Sequence, residues 1–205
     1  MTTPTLPRAF LGMIVRPRAT IPPLVCRRRL DLAAGVVLSY GVLYTITAAV
    51  LALQGRRPVV RPVLPIPEER YYAAQAMFTI PVAAASWLVM SGAARSALAA
   101  TGHRTYLRVC ATVLGFSAHV PWIVGMWLPE TAVAFFFPQY WGAPEGSSPV
   151  VDWIGSYYLW AVSAWAIGLS TGALHDGARA GWRRSLLAAV FGVGASTGFQ
   201  MIPIR

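Results

Sequence analysis

Residues 115 to 122 read GFSAHVPW and set a histidine, His119, in an otherwise apolar run two residues before Pro121. An imidazole changes charge near neutral pH, so it can relay a proton, ligate a metal or act as a neutral hydrogen-bonding group. An ionisable side chain inside a membrane span is costly and points by default to function. The structural alternative is local. Pro121 has no N–H for the carbonyl of Ser117 four residues back, and a neutral ring nearby can satisfy polar groups exposed at a proline kink. A relay needs a partner, and no Asp, Glu, Lys or Arg is expected at the depth of His119. His103, His175 and Asp176 fall in two polar turns expected on one side of the membrane. They are metal-ligating types without a diagnostic ligand spacing, so a solvated turn is the expectation. The chain has no HExxH, GxSxG or P-loop motif; each of these carries a specific chemistry at fixed spacing. The expectation is a non-enzymatic protein with no catalytic residue, cofactor or metal.

The surroundings decide how these residues are used. The 205 residues are 56% hydrophobic and only 12% charged, with a mean hydropathy of +0.55. Soluble domains carry roughly 25% charged residues. Apolar runs here approach the roughly 20 residues that cross a hydrocarbon core as a helix. The chain therefore reads as an integral membrane protein. Its net charge is +10 and every basic residue is arginine. The arginines flank apolar segments, which fits topology and anionic headgroups rather than nucleic acid. The absence of lysine fits GC-rich coding and a bacterial cytoplasmic membrane. Cys26 and Cys110 have no CxxC or Cys/His spacing and read as free thiols.

The expected fold is all-α: a bundle of five transmembrane helices preceded by a short interfacial amphipathic helix. Residues 1–29 form a cytoplasmic N-terminal segment without a cleavable signal, and 30–205 form the membrane domain. In LPRAFLGMIVR, Leu6, Phe10, Met13 and Ile14 recur at helical spacing with Arg8 and Arg16 off that face. This predicts a helix lying apolar face down on lipid, stopped by Pro17. A proline-broken stretch follows. The expected spans are 30–53, 73–98, 107–128, 151–174 and 185–202, with Pro81 and Pro121 interrupting the second and third. Residues 129–149, containing Phe135, Phe136, Phe137, Tyr140 and Trp141, read as an interfacial loop and a contact surface for partners. With the N-terminus inside, twelve arginines lie on the cytoplasmic side and five outside. The positive-inside rule then places the C-terminus outside.

Small residues recur at four-residue spacing as Gly168–Gly172 and Gly194–Gly198. Such spacing lets helices approach closely. Packing within the bundle is the favoured use; a dimer or partner face is the other.

Three stretches resemble the Yip family (Ypt-interacting proteins). RAFLGMIVRPRATIPPL is similar to the family's short N-terminal helix and proline before the first span. TGHRTYLRVCATVLGFSAHVPW resembles its turn between spans two and three, at Gly102, Tyr106, Gly115, Phe116, Ser117 and Pro121. LWAVSAWAIGLSTGALHDGARAGWRRSLLAAV resembles its fourth span, polar turn and fifth span, with His175 and Gly177 in the turn. The resemblance implies five spans and a cytoplasmic N-terminus. Eukaryotic members of that family are associated with small GTPases and vesicle traffic; its prokaryotic branch has no settled activity.

The expected function is partner binding or membrane organisation, as an accessory subunit of a larger membrane complex. Its partners would be anionic lipids at the cytoplasmic arginines and other membrane subunits. The alternative is a small transporter or channel with a polar site near His119.

Overall fold

A computed structural model of the chain describes residues 5–58, 64–137 and 157–204. These residues form helices, with no strand among them. Three helical segments among the described residues are long and apolar enough to cross a membrane: Leu30–Leu53, Glu68–Ala100 and Leu107–Phe136. The first is helix α3. The second is a 3₁₀ turn, Glu68–Arg70, leading into α4, Tyr71–Ala100. The third is a composite of α5 (Leu107–Ser117), α6 (His119–Trp122), a π turn (Ile123–Trp127) and α7 (Leu128–Phe136). Two more long helices close the bundle, α8 (Leu159–Ala178) and α9 (Trp182–Ile204). Neither is among those three.

The composite helix is the centre of the bundle. In its most apolar stretch 78% of residues are buried, against 39% in α3 and 28% in α4. Every residue from Cys110 to Trp122 is buried. Close approach needs small residues at the crossings. A Cβ on Gly115 would lie 2.8 Å from the Ala33 Cβ of α3. One on Gly41 would lie 3.2 Å from the Ile80 backbone of α4, and one on Gly192 3.0 Å from the Met90 carbonyl. The indole of Trp87 donates to the carbonyl of Ala111 at 2.9 Å and ties α4 to α5.

Two interruptions expected from the sequence come out differently. The helix runs unbroken through Pro81. At Pro121 the composite helix does break, at Ala118, and it then widens into the π turn. The wider turn also eases the ring of Pro129, which would otherwise press on the carbonyl four residues back. The helix therefore continues to Phe136, eight residues beyond the expected end at Leu128. Residues 129–136 are helix rather than loop. The expected start of the fourth span, 151–156, lies outside the described residues.

The N-terminal segment also differs from expectation. Helix α1 spans Leu6–Val15 as foreseen. Its Met13 and Ala9 are buried against the bundle, while Leu11, Ile14 and Val15 are exposed. The face given to lipid is thus largely the face that packs on protein, and α1 is apolar on both sides. Leu6 meets α3 at Gly35, five residues or about 8 Å past its start. The proline-rich stretch is a helix, α2, Pro17–Cys26. Pro17 sits where a helical N–H has no partner. Pro22 and Pro23 deny donors to the carbonyls of Arg18 and Ala19. Helix α2 is held by docking instead: Ile21 and Leu24 are fully buried.

Candidate functional site

His119 begins α6, immediately after the break, and is fully buried. Its Nδ1 lies 3.5 Å from the carbonyl of Leu114. That carbonyl already accepts the Ala118 N–H at 3.2 Å. The ring therefore does not cap Ser117, the carbonyl that Pro121 frees. Its Nε2 has no hydrogen-bond partner among the described residues. The ring sits edge-on to Tyr40 and Trp122, with centroids 5.5 and 5.0 Å away.

His103, His175 and Asp176 do come to one end of the bundle, but each has a structural role. His103 Nε2 lies 2.9 Å from the Ala178 carbonyl, and His175 Nδ1 2.7 Å from that of Ala180. His175 also stacks on Trp182 at 4.3 Å. Asp176 accepts from Arg18 Nε at 3.2 Å. Both rings bond to backbone, and the carboxylate forms an exposed ion pair between α8 and α2. No group of three metal-ligating side chains occurs among the described residues.

Gly168 and Gly172 on α8, and Gly194 and Gly198 on α9, do not pack within the bundle. A Cβ on any of the four meets nothing within 4 Å among the described residues. Gly168, Gly194 and Gly198 are exposed and Gly172 is partly so. Trp165 and Phe191, three residues before Gly168 and Gly194, are exposed beside them. Of the aromatic cluster, Phe135 and Phe136 lie on the last turn of α7 and Phe137 caps it; Phe136 and Phe137 are exposed. Tyr140 and Trp141 lie outside the described residues.

The sequence reading missed Glu130, placed in a loop but lying on α7. The Tyr44 hydroxyl donates to its carboxylate at 2.8 Å. One residue on, the Thr131 hydroxyl lies 3.3 Å from that of Thr47, which also accepts from the Trp127 indole at 3.1 Å. Thr47 is the eighteenth of the 24 residues of α3. That places it about 8 Å past the helix midpoint, inside a hydrocarbon half-thickness of about 15 Å. Glu130 is thus an acid on a segment long and apolar enough to cross a membrane. It is eleven residues, or about 16 Å of helix rise, beyond His119 and is not its partner. The signal available was the apolar pattern Leu128, Ala132, Phe135, Phe136, which continues at helical spacing through Pro129.

Beside this cluster lies a cavity of about 100 Å³. Tyr40 and Tyr44 of α3, Gln75 and Thr79 of α4, and Thr197 and Gln200 of α9 contribute its polar wall. Trp122, Ser163 of α8 and aliphatic side chains complete it. Comparison with protein-family models, curated proteins and solved structures finds no match to this chain.

Proposed function

We propose that this protein is a non-enzymatic, five-span membrane protein that binds another membrane protein through the small-residue faces of α8 and α9. The open faces at Gly168, Gly172, Gly194 and Gly198 carry the reading. Glycine at a lipid-facing position contributes little packing, whereas the same spacing admits a partner helix at close range. By length, the 20 and 23 residues of α8 and α9 are about 30 and 35 Å, enough to cross. We place both helices as spans four and five, with the N-terminus in the cytoplasm of a bacterial cell.

One end of the bundle supports that orientation. The Arg18–Asp176 pair, the His103–Ala178 bond and Arg18 over the Trp182 ring gather α2 and both polar turns there. Most of the arginines therefore collect at a single end, where anionic headgroups would bind them. The resemblance to the Yip family fits this five-span arrangement and adds no chemistry of its own.

The test is a double substitution, Gly172→Leu with Gly198→Leu, assayed by co-purification from native membrane and by thermal unfolding of the isolated protein. The expected result is loss of the co-purifying membrane protein at an unchanged unfolding midpoint. Retention of the same partner at wild-type stoichiometry would sink the proposal. Self-association lost in the double variant would identify the partner as a second copy.

A further inference from the structure

From the cavity between α3, α4, α8 and α9 we infer a second function, independent of partner binding: the cavity is a binding site for a small uncharged molecule of acetamide size, with an apolar end and a polar end that both donates and accepts. The observation that points to a ligand is Gln75. It is 8% exposed and lines the cavity, yet its side-chain amide bonds to no described residue. A buried amide left without a partner is costly, so its place in the wall implies an occupant that bonds to it. Trp122, Ser163 and Thr197 line the same cavity. The indole N–H and the two hydroxyls also have no hydrogen-bond partner among the described residues. Each of them can donate to an occupant.

Other wall residues have spent their donors and keep acceptors. The Ser86 hydroxyl donates to the Ala83 carbonyl at 3.0 Å, so toward Gln200 it can only accept. The Gln200 amide nitrogen accordingly donates to Ser86 at 3.0 Å, and also to Ser196 at 3.4 Å. What Gln200 has left for the cavity is its carbonyl oxygen. Thr79 donates to the Gln75 main-chain carbonyl at 2.6 Å and retains lone pairs. The wall thus presents donors and acceptors together, which suits a neutral group that does both. No Asp, Glu, Arg, Lys or His lines the cavity among the described residues. An ion of either sign would give up its hydration for a wall without a counter-charge. Val82, Met126, Leu159 and Met201 make another part of the wall apolar. Water finds no partners there, whereas a methyl group gains by burial. The volume holds one molecule of a few heavy atoms, not a lipid or a nucleotide.

The experiment uses the full chain in lipid nanodiscs and follows its unfolding midpoint against acetamide at constant ionic strength. Ligand that binds only the folded state raises the midpoint in a saturable way. The expected result is such a rise with acetamide, absent with sodium acetate and with methylammonium chloride, which match its size but carry charge. Gln75→Leu removes the amide at similar size and should weaken binding about tenfold. The same variant should hold or raise the midpoint without ligand, because the unpartnered amide is gone. Thr197→Val removes one donor at similar size and should weaken binding severalfold. Unfolding midpoints without ligand show whether each variant is folded. No saturable rise in wild type would mean that water alone fills the cavity, and would overturn the inference. An equal rise with acetate or methylammonium, or undiminished binding in folded Gln75→Leu, would overturn it as well.

Discussion

The hydroxyl of Tyr44 donates to the carboxylate of Glu130 across 2.8 Å, joining α3 to α7, both in segments long and apolar enough to cross a membrane. An acid in such a segment needs polar partners, because hydrocarbon cannot solvate it. A hydrogen bond to a charged acceptor contributes about 1.5–3 kcal/mol. Tyr44→Phe should therefore lower stability by about 2 kcal/mol in a denaturant titration in mixed micelles. Glu130→Gln should cost less, because the amide oxygen still accepts from Tyr44. Equal losses in the two variants would mean that the charge, not the bond, sets the energetics of this pair.

The glycines divide into two classes that one substitution series separates. At Gly115 and Gly192 an added Cβ meets neighbours at 2.8 and 3.0 Å, one of them the Met90 backbone carbonyl. Overpacking of that kind costs typically about 1–3 kcal/mol. Gly115→Ala and Gly192→Ala should lower the unfolding midpoint of the isolated protein. At Gly168, Gly172, Gly194 and Gly198 the Cβ meets nothing within 4 Å among the described residues. Alanine there should leave the midpoint unchanged or raise it slightly, since alanine is the better helix former by about 1 kcal/mol. A destabilised Gly168→Ala protein would show that these faces are already covered within the fold.

The first span was legible at both ends, because Arg29 and the Gln54–Gly55 turn bracket an apolar run with only Asp31 inside it. Arg29 neutralises that acid at 2.8 Å. The third helix was legible only to Leu128. Pro129 and Glu130 together look like a helix end, and nothing local reveals that a π turn upstream absorbs the proline while Tyr44, 86 residues earlier, receives the acid. The cavity was not legible at all. Its polar residues are spread over separate helices, and each alone looks like an ordinary polar substitution in an apolar span. His119 was legible as a buried ring beside a proline break; which carbonyl it would approach was not, since that depends on where the helix breaks.

His119 tests whether the break needs its ring nitrogens. Its Nε2 is buried and has no partner among the described residues, and its Nδ1 contact is long at 3.5 Å. An unsatisfied buried polar atom costs about 1–3 kcal/mol. His119→Phe keeps the aromatic contacts with Tyr40 and Trp122 and should hold or raise the unfolding midpoint. A drop of several degrees would show that the nitrogens are used, and would reopen a proton or ligand role for this residue.

The N-terminal segment is the last case, and it sets burial against charge. Arg18 and Asp176 form a 3.2 Å ion pair, but the arginine side chain is 70% exposed. Exposed pairs contribute at most about 1 kcal/mol. Ile21 and Leu24, on the same helix, are fully buried, and Ile21 reaches the backbone at Gly177 of α8. Truncating such a side chain costs about 2–5 kcal/mol. Asp176→Asn should therefore have little effect on the unfolding midpoint, whereas Ile21→Ala or Leu24→Ala should lower it clearly and release α2 to protease before the bundle itself unfolds. Because the prolines leave α2 without a full ladder of its own, a released α2 has no means of staying helical. Its circular-dichroism signal and its protection should be lost together. Loss of protection on Asp176→Asn but not on Leu24→Ala would reverse the assignment and make the ion pair the anchor.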